Sequence, residues 1–557
     1  MQIGKVFIIL IIMISLSACS ITEQAMYIKQ DIFSGNKLDQ YLEMSSQEQL
    51  VKEIYITVLP AEKQSARYAH TFTELNDDTN FNDEIDIEVK VLFQEGHSGQ
   101  TRPGLFGFGL TDANAVMKQR GHAARSSRLK SYRVELEKQG GLWYANEIIN
   151  LNKHYSDFIR FRNKLSFDLL KTLPNISSVD TNFVHLFIKD LSESNYNNDF
   201  IDFGLYTHIE QIDREYLQKR GLDSNGHLYK AENFEFFVYP ELLPIDSDLY
   251  DEKEFETIME IKGNDEHSKL INMLHDVNNK FMHINDVIEK HFNKDNYLTW
   301  LAVNILFGNT DTNSQNFFLY SPKNEERWYF IPWDFDGAWD YYLQTEKHRR
   351  IQAPWQEGIS NYWGVVLHRR FFQNDNNIKE LAAKIEEIHS LIKDQVPKLI
   401  ELYKPISFKF LAQEPDNRIH SWTEKQILQE MSKFPQILEK NKEIFYKNIE
   451  KPMPNNMGQP INFGNYLILK WDDSYDLQGD YITYSIAISK TPDFQEVIFQ
   501  QDGIMDTEYI VKGLEPGTYY WKLIISDSKG NKQVPFNRYR DAQRNNFFGI
   551  QEFVVNM

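Results

Sequence analysis

The chain has 557 residues, with 80 Asp and Glu against 60 Lys and Arg, and this formal charge of −20 argues against a nucleic-acid partner. With 41% apolar and 14% aromatic residues, and a length near four times the ~150 residues of a common domain, it can bury several cores, which excludes disorder as the main state. Beyond the N-terminus no run approaches the ~18 consecutive apolar residues needed to cross a bilayer.

Residues 1–18 read as a signal peptide: Lys5 precedes the apolar run Val6 to Ile14, and the segment closes on Leu16-Ser17-Ala18-Cys19. Those last four residues resemble the bacterial lipobox, which implies a diacylglyceryl group on Cys19, the sole cysteine of the chain. An ordinary cleaved secretory signal with an incidental cysteine is the alternative. With one cysteine there is no intramolecular disulfide, and the expected location is extracytoplasmic, on a membrane held by lipid rather than by a spanning helix. Residues 19–50 follow as a polar tether.

The first expected strand is Glu53 to Val58, and Ile85, Ile87, Val89 and Val91 alternate with charged residues as in a half-buried second strand. A glycine-rich loop, 104–109, precedes a strand over Ser131 to Leu136, with Lys130 in register with the apolar face Tyr132, Val134 and Leu136. Such a lysine either snorkels at an edge or reaches an anion in a cleft. The spacing of Phe158, Phe161, Leu165 and Leu169 predicts a helix over Ser156 to Leu170; Val184 to Ile188 and Gly204 to Ile209 read as paired strands, and Asp213 as the cap of a short helix. From Phe255 the pattern turns helical: Asn296 to Phe307 capped by Asp295 and stopped by Gly308, then long amphipathic stretches over Ile378 to Leu402 and Thr423 to Asn448. Strands first and helices after fit an α+β domain of two lobes over 51–450, strand-rich to about residue 212.

Pro452, Pro454, Gly458 and Pro460 mark residues 451–462 as a linker. The strand-rich remainder, 463–557, resembles an immunoglobulin-like fibronectin type III sandwich, with Trp471 as a buried core tryptophan and Leu514 to Tyr520 as the turn of a tyrosine corner.

The densest polar constellation is GNTDTNSQNFFLY, from Gly308 to Tyr320, followed by WYFIPWDFDG, from Trp328 to Gly337. Its layout is helix, loop, hairpin and acidic turn, so pairing of the hairpin can bring Asp311, Asn316, Asp334 and Asp336 near one point. Two carboxylates ~4 Å apart repel by roughly 4 kcal/mol at an effective dielectric near 20, so such a group is expected to hold a cation or share a proton. An oxygen-only set suits Mg²⁺ or Mn²⁺. The DxxxxN spacing matches the catalytic loop of protein kinases, and an Asp-Phe pair after a strand matches their metal-binding turn.

Together with RGHAARSSRLKSYRVEL, RNKLSFDLL, FGLYTHIEQIDREYL and LYKAENFEF, these two motifs resemble the spore-coat protein H (CotH) kinase family, in family order from about Arg120 to Trp339. The resemblance implies an atypical protein-kinase-like fold using ATP with Mg²⁺ or Mn²⁺. It implies Asp311 as catalytic aspartate, Asp334 as metal ligand with Asn316 in support, and Lys130 at the phosphates. Asp336 lies in the same turn as a further metal candidate, Arg120 and Arg125 are candidate phosphate ligands, and Glu210-Gln211-Ile212 would form the hinge that meets adenine through its backbone. The glycine-rich loop does not follow GxGxxG, and the helix after Lys130 offers no glutamate to pair with it.

Plainer readings stand beside these. Asp311 can be an Asx-turn residue, Lys130 a solvated strand-edge lysine, Arg162 a bridge between helix and sheet, and His208 and His227 ordinary polar residues. Asp334-Phe-Asp336-Gly337 also resembles the DxDG opening of haloacid-dehalogenase-type phosphohydrolases, but the chain beyond Gly337 is helical instead of alternating. The expected activity is therefore phosphoryl transfer from ATP to a hydroxyl of a protein in the envelope or spore coat. The alternative is an inactive kinase-fold scaffold or adhesion lipoprotein.

Overall fold

The computed structural model describes residues 50–79, 86–193, 198–343, 352–418, 422–463 and 465–555; Cys19, the expected signal peptide and the expected tether up to residue 49 lie outside them. Alternating apolar residues build the N-terminal sheet from β1 (Val51–Val58), β2 (Glu88–His97), β3 (Gln100–Thr101), β4 (Ala115–Gln119), β5 (Tyr132–Leu136), β6 (Ile148–Asn152), β7 (Thr181–Asp190) and β8 (Ile201–Glu210). The order is β1-β7-β8-β6-β5-β4-β2-β3, and β1 also pairs with β2, so the sheet closes into a barrel. β1 runs parallel to β7, with Ile54 opposite Leu186, and antiparallel to β2, with Ile56 opposite Phe93. Closure removes exposed edges, and Ile54, Ile56, Val89, Val91, Met117, Val134, Ile149 and Leu186 fill the interior. The helix Phe72–Asp77 closes one end with Phe72 and Leu75, its Thr71–Glu74 capping box satisfying the first amides.

The outer face of β7 and β8 presents Phe183, Leu205 and Ile209 to a second, larger core shared with the helices. Central to it is Arg162–Leu170, all nine of whose residues are buried. Its charges are paired: Arg162 with Asp157 and Glu430, and Lys164 with Asp168 at 2.8 Å. The helix begins at Arg162 rather than at the expected Ser156. The Asp157 carboxylate takes the Ile159 and Arg162 N–H groups, at 3.1 Å each, and Arg160 sits at φ +65°, so a side-chain-bonded loop displaces the first turns.

A second sheet, ordered β10-β9-β11-β12, combines β9 (His227–Ala231), β10 (Met259–Ile261) and the hairpin β11 (Phe317–Ser321) with β12 (Tyr329–Pro332). The buried helix Lys294–Phe307 leads into it, capped by Asn293 instead of the expected Asp295. The amphipathic stretches each divide in two, Asp375–Ile392 with Gln395–Leu411 and Glu424–Met431 with Phe434–Ile449.

Residues 452–455 are buried, so the proline-rich segment packs rather than hangs free. The C-terminal β domain sets a three-stranded sheet against a five-stranded one around Trp471, Tyr484, Trp521 and Phe553. Its Tyr519 hydroxyl donates to the Glu515 carbonyl at 2.9 Å, the expected tyrosine corner. It docks on the helical unit through Trp363 stacked on Tyr475 and Phe536 edge-on to Trp355, with centroids 5.6 and 5.0 Å apart.

Candidate active site

The β11–β12 register sets Phe317 opposite Pro332, so the loop entering one strand and the turn leaving the other are neighbours. The Trp333 N–H donates to the Asn316 carbonyl at 3.2 Å, and the Asn309 amide donates to the Asp334 carbonyl at 3.2 Å. Gly308 ends the preceding helix at φ +63°, and a Cβ there would meet the Asn441 amide at 2.8 Å. Asn316 and Asp334 are themselves left-handed, at φ +61° and +51°. Asx residues tolerate this region, at a cost of about 1 kcal/mol that the surrounding packing must offset.

The pairing thus brings Asp311, Asn316, Asp334 and Asp336 to one place. Asp311 accepts from the Gln315 amide at 2.8 Å and from the Asn316 amide at 3.1 Å. Burial, and then the Asp334 charge, hold its carboxyl above the ordinary range. Asp336 is open to solvent at the surface of the cleft yet crowded by protein at longer range. That crowding, followed by the charges of Asp334, Asp311 and Asp157, pushes its carboxyl well up. Opposing them is Arg120, just past β4, with its guanidinium 5.8 Å from the Trp333 ring and bonded to Asn152. Burial pushes Arg120 down to about 10, against the attraction of Asp334 and Asp336.

Four neighbours were not singled out by motif. Asn163 donates to Asp334 and accepts from the Phe335 N–H; Tyr342 faces Asp311, Asp336 and Asp334, whose charges add to burial in raising its phenol; Asp157 adds its charge beside Asp336. His154 lies near Asp157, Asp334 and Arg120, pushed by burial down to about 4, with its Nε2 unbonded among the described residues. The signal for Asn163 in the sequence is its place at the head of RNKLSFDLL, a helix buried at every position, where an amide needs partners.

Other expected residues sit elsewhere. Arg125 pairs with Asp86 and Asp78, and the Lys130 ammonium donates to the Arg125 carbonyl at 2.5 Å, with Asp77 and Asp78 near it. Lys130 shares the strand face that becomes the barrel interior, and so meets the group closing the barrel end. The glycine-rich loop lies at the far end of β2 and β4 from Arg120, with Phe106 packed on Phe93. Glu210 ends β8, its buried carboxylate held by Arg220 at 2.6 Å and Lys219 at 3.0 Å. Gln211 takes the Asn150 amide at 3.1 Å, and Ile212 is fully buried.

The donor set of the cleft is oxygen from Asp334, Asp336, Asp311 and Asn316, carrying more negative charge than Arg120 offsets, which fits a hard divalent cation. A tighter acidic group, Asp476, Asp480 and Asp527, lies in the C-terminal domain, but Lys529 stands 2.9 Å from Asp480 and backbone amides of the turns take Asp476 and Asp527.

The family model described as CotH kinase protein matches residues 117–440, a span that holds Arg120, Asn163, Asp311, Asn316, Asp334 and Asp336. The inner spore coat protein H of Bacillus subtilis (strain 168) is 27% identical over 308 residues, 53% of this chain and 77% of that protein. Among solved structures, the fibronectin type-III domain of human fibronectin type III domain containing protein 3 is 22% identical, covering 19% of this chain and 86% of that one, at a TM-score of 0.15. A Shewanella oneidensis MR-1 complex of HipA, HipB and operator DNA is 11% identical, covering 54% of this chain and 58% of that one, at a TM-score of 0.25. No helix among the described residues is long and apolar enough to cross a membrane.

Proposed function

The chain belongs to the CotH kinase protein family, and from that premise we propose that it is an atypical protein kinase, transferring the γ-phosphoryl group of ATP to a hydroxyl of a protein. The observation that carries this reading is the convergence of Asp311 with Asp334 and Asp336 under Arg120. In this reading the barrel and the helical unit act as the two lobes of a kinase-like fold, with residues 210–212 as the passage between them.

Asp311 orients the acceptor hydroxyl and takes its proton, for which its raised carboxyl is suited. The acceptor oxygen forms the new P–O bond as the bond from the γ-phosphorus to its bridging oxygen breaks, and ADP leaves. Asp334 and Asp336, with Asn316 behind them, would hold Mg²⁺ or Mn²⁺, which when bound neutralises phosphate charge. Arg120 supplies a fixed positive charge to the phosphates, while Lys130 and Arg125 support the turn after β4 from the barrel end. Of these three residues only Gln211 keeps some exposure, so its backbone, rather than the consumed Glu210 carboxylate, is what an adenine would meet. The relationship to a spore coat protein supports a protein acceptor in an outer layer, and Cys19 would carry the lipid that tethers the chain there.

The test is incubation of the chain lacking residues 1–19 with γ-labelled ATP and Mg²⁺ or Mn²⁺. Label on an added acceptor protein or on the chain itself supports the reading. Nucleotide binding and label both absent would leave the scaffold instead.

A further inference from the structure

The cavity beside Asp311 is built from two domains. About 450 Å³ in volume, it is lined among the described residues by Thr310, Asp311, Tyr342 and Trp355 on one side and Phe536, Arg538 and Phe548 of the C-terminal domain on the other. The second wall is a short hairpin, Arg538–Arg540 paired with Asn546–Phe548, in which Arg538 stands opposite Phe548. Tyr539, between the two arginines, turns the other way and packs edge-on to Tyr520 at 4.9 Å, so alternation puts Arg538 and Arg540 on one face. The docking is fixed: Phe536 meets Trp355, the Gln533 amide donates to the Ser360 hydroxyl at 3.3 Å, and the Asn531 amide donates to the Glu450 carbonyl at 2.9 Å.

Charge then narrows the occupant. In a chain of net −20, residues 538–548 carry Arg538, Arg540 and Arg544 against one acid, Asp541. Asp541 is spent on its own turn, accepting the Asn545 N–H at 2.7 Å and its amide at 2.8 Å. Arg538 is exposed, and its guanidinium has no hydrogen-bond or ion-pair partner among the described residues. The indole N–H of Trp355, in the facing wall, is buried without an acceptor among the described residues. An unpaired guanidinium and an unpaired N–H beside four aromatic rings suit a peptide carrying a carboxylate and an apolar side chain.

We infer that the C-terminal domain completes the acceptor site, and that the 538–548 hairpin receives an acidic segment of the protein to be phosphorylated, setting its hydroxyl at Asp311. This rests on the phosphoryl-transfer reading above. The domain is then a specificity element of the enzyme, not a spacer.

The test uses the chain from residue 20 to its end and two synthetic serine peptides with the same central Phe-Ser, one flanked by glutamates and one by lysines. The acidic peptide is expected to have the higher kcat/KM by about tenfold or more. Arg538→Glu is expected to raise its KM by about tenfold or more while MgATP affinity holds, and Arg538→Lys to restore part of the loss. Equal use of both peptides, preference for the basic one, or an Arg538→Glu KM equal to wild type overturns the inference while leaving phosphoryl transfer standing. A wild-type chain that binds no nucleotide and labels neither peptide overturns both.

Discussion

Asn163 holds the Asp334 turn from two sides: its amide donates to the Asp334 carboxylate at 3.3 Å, and its oxygen accepts the Phe335 N–H at 3.1 Å. Because Arg162–Leu170 is wholly buried, the amide is fixed to the core while the turn faces the cleft. Asn163→Ala is expected to cost about 1–3 kcal/mol in chemical unfolding and to weaken Mg²⁺-dependent nucleotide binding, since the Phe335 N–H loses its acceptor. Stability lost with nucleotide affinity intact would assign Asn163 to packing alone.

The two aspartates of the cleft are expected to fail differently. Asp334→Asn should abolish metal-dependent ATP binding, read by calorimetry, whereas Asp311→Asn should keep binding and lose about 10²-fold or more in transfer. Chelation with EDTA should reproduce the first phenotype and not the second. Mg²⁺ should raise the Tm of the wild type and leave that of Asp334→Asn unmoved.

Acid should unfold the protein through its neutral histidines. His208 and His368 are fully buried, and burial pushes both down to about 3. A depressed imidazole leaves stability complete above the unfolded value near 6.5 and removes it as pH falls from there toward the folded value, by about 1.4 kcal/mol per pH unit for each group. His368, bonded to the Tyr297 hydroxyl at 2.7 Å and stacked on Trp300, is the cleaner probe. Urea unfolding of His368→Gln should show a pH slope shallower by about that amount between about pH 6 and pH 5. An unchanged slope would mean that His368 does not titrate on unfolding.

The end of β8 should depend on the cations that hold Glu210. Glu210 is 1% exposed and is met by Arg220, Lys219 and the Asp180 N–H, the last at 2.8 Å. Arg220→Ala strips the closest cation from a buried carboxylate and should cost about 3 kcal/mol, with faster amide exchange over residues 201–219. Exchange unchanged there would place the end of β8 under other control.

The grouping of the candidate site is legible in the sequence where its parts are local. Gly308 to Gly337 is a single helix–loop–hairpin–turn, so spacing alone was enough to group Asp311, Asn316, Asp334 and Asp336, and Tyr519 declared its corner through the five-residue turn before it. The sequence was silent where contacts are distant. Closure of the barrel depends on β1 pairing in parallel with β7 more than 120 residues on, and no alternation within either strand announces a partner. Lys130 was legible as a face and not as a destination, because the same face serves an open cleft or a closed barrel. At Asp157 to Phe161 the aromatic spacing is helical while the Asp157 carboxylate takes the backbone amides, so local pattern and structure part there.

Asp416 gives the chain an order of completion. Its carboxylate meets the wholly buried Lys153 ammonium at 2.8 Å and takes the Leu205 N–H at 2.8 Å, where Gly204, at φ +76°, leaves room for it. Both groups belong to the barrel, yet the acid that meets them arrives more than 200 residues later. Closing the barrel before residue 416 docks would bury the Lys153 ammonium with the Phe203 carbonyl, at 2.6 Å, in place of an acid, a costly arrangement that favours late closure. The N-terminal barrel, though first made, thus owes part of its interior charge balance to a residue of the helical unit.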